Sequence, residues 1–257
     1  MKRRDFFLKS SALVALPLFS FPKDFKLRTV VIDAGHGGKD PGTVGKKLKE
    51  KDVVLKIALK VGEYIEKNVP NVKVIYTRKT DKFIELHERA AIANRNKADL
   101  FISVHANAVT NPKVYGTETW IMGLHKSEEN LEVAKRENSV ILLDENYQEH
   151  YDGFDNSTES YIMMSLAQSA YLESSVKLAD RIEKQFKNKV GRSSRGVKQA
   201  GFIVLYKTAT PSVLVEVGFL SNETEEKFLA TEEGQDLMAS GIYRAFKEYK
   251  SDIESLN

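Results

Sequence analysis

Short β-branched runs alternating with longer segments of helical periodicity constrain this chain most. Residues 29–33, 72–76, 100–104, 117–122, 202–206 and 212–217 are compact apolar runs that read as strands. Between them, residues 50–67, 84–96, 157–186 and 235–249 carry apolar side chains at helical spacing. In the longest of these, Ile162, Leu166, Ala170, Val176, Ala179, Ile182 and Phe186 are expected to share one buried face. Such alternation predicts an α/β fold, a single domain with a mostly parallel or mixed twisted sheet of about six strands and helices on both faces. The 257 residues are ample for one core. One stretch breaks the rhythm. Residues 126–156 are rich in Glu, Asp and Asn, with a short apolar run only at 140–143, and read as an insertion after the fourth strand.

The amino terminus reads as an address rather than as part of the fold. Lys2, Arg3, Arg4 and Lys9 precede a mostly apolar stretch to Phe21, the pattern of a secretory signal over residues 1–22. Arg3-Arg4-Asp5-Phe6-Phe7 also resembles the twin-arginine export signal. The apolar run is shorter than the roughly 20 residues that span a bilayer, so no integral membrane segment is expected in the mature chain. Export to the periplasm follows as the expectation. These residues, with Asp5 the lone acid among them, also carry the whole formal net charge of +3, which leaves residues 23–257 neutral. A neutral body offers no electrostatic case for a nucleic-acid partner.

Cysteine is absent, which excludes thiol nucleophiles, disulfides and sulfur-ligated metals. A metal site must be built from His, Asp and Glu. In an open α/β sheet, function gathers beyond the carboxyl ends of the strands. The first strand ends in Asp33-Ala-Gly-His36-Gly-Gly, the third in Ser103-Val-His105-Ala-Asn107, and the sixth in Val215-Glu216-Val217-Gly218. Glu50 stands at the expected start of the next helix, where it also favours the positive end of the helix dipole. Two histidines, a carboxylate and an open position form the ligand set of a catalytic zinc, and a second carboxylate can serve as base. A carboxylate between Val215 and Val217 is costly to bury without such a purpose.

Other motifs carry less. His87-Glu88 opens like a HExxH helix, but Ala91 stands where the second histidine belongs. His125 and His150 fall in or beside the polar insertion and are expected to be solvated. No GxSxG elbow and no phosphate-binding glycine loop is present.

At this point the residues resemble the zinc-dependent N-acetylmuramoyl-L-alanine amidases of bacterial cell-wall turnover, the amidase-3 type. The blocks that carry the resemblance are Val31-Ile-Asp-Ala-Gly-His-Gly-Gly38 with Asp40-Pro-Gly42, Thr77-Arg-Lys-Thr-Asp81, Ala98-Asp-Leu-Phe-Ile-Ser-Val-His-Ala-Asn107, and the stretch 211–222. They run from about residue 29 to 249, so 27–250 is expected to be the catalytic domain. The resemblance implies that His36, Glu50 and His105 hold one Zn²⁺ and that Glu216 is the catalytic glutamate. Peptidoglycan is the implied substrate, cut at the amide between N-acetylmuramic acid and L-alanine. Arg78, Asp81 and Arg89 read as ion pairs supporting the sheet edge, and Asn107 as a residue near the site.

The same resemblance gives the insertion a role. Some envelope amidases of this family carry an extra helical segment whose acidic residue blocks the zinc until an activator with a LytM-type domain displaces it. Residues 132–139 correspond to that helix, and Glu137 is the preferred blocking residue over Glu128, Glu129, Glu132 and Glu145. A monomer is expected. Two other readings stay open on the sequence: a zinc peptidase or carboxypeptidase-like hydrolase acting on another peptide bond, and a catalytically inactive wall-binding protein.

Overall fold

The computed structural model describes residues 25–151, 154 and 157–255, so the expected export signal lies outside the described residues. Along the chain run β1 (Thr29–Ala34), α1 (Glu50–Asn68), β2 (Lys73–Tyr76), α2 (Leu86–Arg95), β3 (Leu100–Asn107) and β4 (Thr117–Met122). Then come α3 (Glu128–Asn138), the single turn α4 (Tyr147–His150), α5 (Thr158–Gln168), α6 (Leu172–Gln185) and β5 (Ser194–Ala200). The single turn α7 (Ile203–Tyr206), β6 (Ser212–Phe219), α8 (Glu223–Ala230) and α9 (Glu232–Ser255) complete the chain. The strands form one six-stranded sheet in the order β2-β1-β3-β6-β4-β5. Pairing is parallel except for β4 against β6, so the sheet is mixed. No helix among the described residues is long and apolar enough to cross a membrane.

Both faces of the sheet are covered, which is why β3 and β6 are buried along their whole length and read as near-continuous apolar runs. On one face Val30, Ile32, Ile102 and Val215 pack with Val54, Ile57 and Val61 of α1, Ile182 of α6 and Ile242 and Phe246 of α9. On the other, Val31, Phe101, Trp120 and Leu214 pack with Ala93 of α2, Val133 and Ala134 of α3, and Tyr161 and Met164 of α5. The segment after β4 is thus part of the second core.

Two expectations are corrected. Residues 202–206 do not form a strand; Phe202 precedes the helical turn α7, and the strand is the polar stretch Ser194–Ala200. An edge strand with one neighbour needs no apolar alternation, whereas the buried run 202–205 is enclosed on all sides. The single helix expected over 157–186 is broken at Ser169–Tyr171, a 3₁₀ turn. There the Ser169 hydroxyl donates back to the Leu166 carbonyl at 2.7 Å, which competes with helical bonding. The break releases the expected face. Ala179, Ile182 and Phe186 are buried, but Ile162, Leu166 and Val176 are exposed.

The sheet order brings the carboxyl ends of β1, β3 and β6 side by side, and two arginines brace that edge. Arg89 is 1% exposed; it donates to Asp33 and to the Ala34 carbonyl at 2.7 Å each and to the His36 carbonyl at 2.8 Å. Arg78 donates to the Ala34 and Gly35 carbonyls at 2.9 and 2.6 Å. Thr77 and Ser103 hydroxyls each donate to Asp33 at 2.6 Å. Asp81 instead pairs with Lys51 at 2.6 Å and accepts the Gly38 amide at 2.7 Å.

Replacing Arg89 with Leu is expected to cost about 3–5 kcal/mol of stability, because it strands a buried carboxylate. Burial alone would raise the Asp33 pKa, but Arg89, Ser103 and Thr77 outweigh it and hold the carboxyl below its usual range. A depressed carboxyl contributes stability above its unfolded pKa, near 4, and loses it as pH falls through the folded value. Urea unfolding at two pH values checks this. The gap between wild type and Arg89→Leu is expected to be widest at neutral pH and to narrow in acid; a gap below 1 kcal/mol at neutral pH would refute the brace.

Candidate metal centre

The loop after β1 is shaped to aim one imidazole. His36 adopts a left-handed backbone (φ 59°), uncommon for a residue with a side chain, and Gly37 and Gly38 follow with positive φ. Asp40 Oδ2 lies 2.7 Å from His36 Nδ1, which orients the ring and leaves Nε2 pointing away from it. Glu50, the first residue of α1, is 1% exposed. Its carboxylate accepts the Thr43 amide at 2.8 Å on one oxygen and the Ala106 amide at 2.9 Å on the other, tying α1 to the end of β3. Two glycines leave room for these groups. A Cβ on Gly42 (φ +64°) would stand 2.6 Å from the His36 ring, and one on Gly35 2.4 Å from His105.

His36, Glu50, His105 and Glu137 converge, all buried, with one donor atom each within 4.8 Å of the others. His36 Nε2 lies 3.1 Å from Glu50 Oε1 and 3.3 Å from Glu137 Oε2. His105 Nδ1 lies 3.1 Å from the same Glu50 oxygen and 3.2 Å from the same Glu137 oxygen. Donor atoms about 3.1–3.3 Å apart are close enough to share a single cation. His36 Nε2 and Glu137 Oε2 are buried polar atoms without a hydrogen-bond partner, as donors that face a cation would be. The donor set therefore fits zinc in chemistry and in spacing.

The buried charges act strongly on one another. Burial disfavours an imidazolium at His36, but Glu50, Asp40 and Glu137 outweigh it and hold its pKa well above the ordinary histidine value. His105 is likewise buried, yet Glu137 and Glu50 push it up to about 9. Glu50, buried beside His36, is held down to about 2. Glu137 is held well below the carboxylate range: burial raises it, and the two histidines lower it further.

Glu216 behaves in the opposite way. It is fully buried, directly paired with His105 across the β3–β6 ladder, and neither of its oxygens has a hydrogen-bond partner. Burial first, and then the charges of Glu137 and Glu50, push its pKa well above the normal range. A buried carboxyl left unbonded and proton-hungry is poised for proton transfer.

Of the acidic residues of α3 and after, Glu128, Glu129, Glu132 and Glu145 are exposed and only Glu137 is buried in the cluster. Three neighbours escaped the sequence reading. Asp40 orients His36. Arg136 donates to the Ala108 carbonyl at 2.7 Å and to Asn107 Oδ1 at 2.8 Å, tethering α3 to the end of β3. Glu118, paired with Glu216 from β4, receives Arg195 at 2.5 Å, Lys198 at 2.6 Å and Asn107 Nδ2 at 3.3 Å. Asp40, four residues after His36 in the DPG turn, was the one with a legible signal.

Known proteins carry the same framework. The family model described as N-acetylmuramoyl-L-alanine amidase matches residues 30–248. The chain is 37% identical over 237 residues to N-acetylmuramoyl-L-alanine amidase AmiC of Escherichia coli O6:H1, covering 88% of this chain and 54% of that protein. It is 34% identical over 225 residues to AmiA of Escherichia coli K12, covering 86% and 76%. The chain thus spans about half the length of the AmiC relative. The solved CwlD amidase from Clostridioides difficile, in complex with the GerS lipoprotein, superimposes with a TM-score of 0.64 at 29% identity, over 88% of this chain and 99% of that one. This chain belongs to the N-acetylmuramoyl-L-alanine amidase family.

Proposed function

We propose that this protein is a zinc-dependent hydrolase of the amide bond between N-acetylmuramic acid and L-alanine in peptidoglycan, held latent by Glu137. The observation that carries the reading is the pairing of a His36–Glu50–His105 ligand set with a buried, unbonded Glu216 on the neighbouring strand. When bound, Zn²⁺ supplies a Lewis acid that makes water nucleophilic near neutral pH and polarises the scissile carbonyl. To hold it, His36 and His105 would each release a ring proton and present a neutral nitrogen, and Glu50 offers a charge already fixed by two backbone amides. Glu216 accepts the proton of the attacking water and returns it to the departing L-alanine amine, its carboxyl being free of hydrogen bonds that would compete for that proton.

Glu137 Oε2, 3.3 and 3.2 Å from the same two histidine nitrogens, would take the position that a catalytic zinc keeps open. Residues 27–250 form the catalytic domain in this reading, and 126–156 the regulatory insertion. A LytM-domain activator would withdraw α3; the solved complex of CwlD with a lipoprotein supports the general idea of a protein partner. A cell-wall substrate and the charged, apolar residues 1–22 together support export to the periplasm, and a monomer suffices for the site.

Mass spectrometry of the products from purified sacculi tests the bond. The protein is the chain from residue 23 with Arg136→Ala and Glu137→Ala, assayed with and without a chelator. The expected result is chelator-sensitive release of stem peptides with a free L-alanine amino terminus. Cleavage within the peptide by the folded, zinc-loaded variant would point to a peptidase instead, and no release would remove the hydrolase reading.

A further inference from the structure

A second group of metal-ligating side chains lies where the segment after α3 meets the body of the fold. His87 comes from the first turn of α2, and Asp144 and His150 from the stretch around α4. Their donor atoms fall within 4.8 Å of one another. His150 Nδ1 lies 2.7 Å from Asp144 Oδ2, and His87 Nδ1 lies 3.5 Å from that same oxygen. The two imidazole rings are 3.9 Å apart at their centroids. The Tyr151 hydroxyl, which accepts the His87 amide at 3.1 Å, lies 3.2 Å from His87 Nδ1. His150 was expected to be solvated and His87 to belong to a failed zinc motif; tertiary packing brings them together.

An ion pair between Asp144 and His150 accounts for one histidine only. It does not account for a second imidazole pressed against the first with its nitrogen facing the same carboxylate oxygen. Asp144 is 4% exposed at its side chain, and its Oδ1 is committed to the Asn146 amide at 2.9 Å, which leaves Oδ2 directed at both rings. Two imidazole nitrogens and one carboxylate oxygen are a zinc-type ligand set that leaves a further position for water or for the adjacent phenol.

We propose that His87, Asp144 and His150 form a second divalent-cation site, of zinc type, that clips the 144–150 segment onto α2. It shares no ligand with the His36–Glu50–His105 centre and stands independently of the catalytic reading. Binding would exchange the hydrogen bond between His150 and Asp144 for two bonds to the ion, with the ring proton moving to Nε2 or leaving to solvent. The ion would join α2, whose Arg89 braces the His36 loop, to the segment that follows the Glu137 helix. Loading the site would therefore hold that segment in place.

Zinc content of the mature chain, measured by plasma mass spectrometry after equilibration with buffered micromolar Zn²⁺ at neutral pH, tests this. The wild type is expected to hold about two equivalents. His87→Gln and His150→Gln are each expected to hold about one, with the far-ultraviolet circular dichroism of the wild type. His105→Gln is expected to lose the other equivalent, and the double variant His105→Gln/His150→Gln both. In His105→Gln, added Zn²⁺ should slow proteolysis within residues 144–151 by at least tenfold, and His150→Gln should abolish that protection. The proposal is overturned if the wild type holds one equivalent that His105→Gln removes, or if His87→Gln and His150→Gln each keep two. It is overturned as a clip if zinc binds there without protecting the segment. Failure of the catalytic-metal reading looks different: one equivalent in the wild type, indifferent to His105→Gln and lost in His150→Gln.

Discussion

Glu216→Gln is expected to lower turnover of sacculi by about 10²–10⁴-fold, the contribution of a general acid–base group, with zinc content unchanged. The substitution keeps the shape of the side chain and removes its capacity to take a proton. It should not unfold the protein. Glu216 has no hydrogen bond for the amide to lose, and the amide has no charge for the Glu137 and Glu50 carboxylates to repel. Thermal unfolding of the variant is therefore expected at or above the wild-type midpoint. A stability gain with an activity loss separates chemistry from scaffolding, since a residue that merely held β6 in place would lose both. Near-wild-type turnover in a zinc-loaded Glu216→Gln protein would end the assignment. The assay belongs in the Arg136→Ala/Glu137→Ala background, where latency does not hide the effect.

Glu137→Ala is expected to raise basal turnover at least tenfold. Glu137 Oε2 lies 3.2–3.3 Å from a nitrogen of each imidazole, and a tenfold gain asks its removal to relieve only about 1.4 kcal/mol. The Arg136→Ala/Glu137→Ala pair should go further, because Arg136 still anchors α3 to Asn107 and to the Ala108 carbonyl in the single variant. Glu137→Gln should fall between, its amide oxygen being a weaker ligand than a carboxylate. Removing residues 126–156 wholesale is a rougher probe. Val133, Ala134, Val140 and Tyr151 pack into the core with Trp120, and each large apolar side chain withdrawn costs roughly 1.5–3 kcal/mol. If Glu137→Ala leaves basal turnover unchanged while removal of the segment raises it, the residue assignment falls and the latch remains. If neither raises it, the latch falls too.

Much of this architecture is written locally. The β-branched runs at β1, β3 and β6, the glycines around His36 and the apolar flanks of Glu216 are short-range patterns, and each carries its meaning within a dozen residues. That is why the α/β class and the grouping of His36, Glu50 and His105 at one sheet edge are legible in the chain. Glu216 stands out by its apolar flanks, and the family blocks give it a role, since no spacing rule links it to His36, Glu50 or His105.

What tertiary structure alone decided is what depends on packing between distant segments. The helix expected over 157–186 breaks because Ser169 bonds back onto its own helix and Gln168 reaches the Tyr206 and Thr208 carbonyls, neither of which periodicity reports. The polar β5 is a strand because β4 offers it an edge. Glu137 differs from its four acidic rivals only through burial against His36 and His105, and His87 meets His150 only because α4 folds onto α2. Periodicity fixes which face of an element is apolar, since that is a property of a few neighbouring residues. Which charged groups meet in a low-dielectric interior depends on the sum of many weak, non-local contacts, and the chain settles that sum only when it folds.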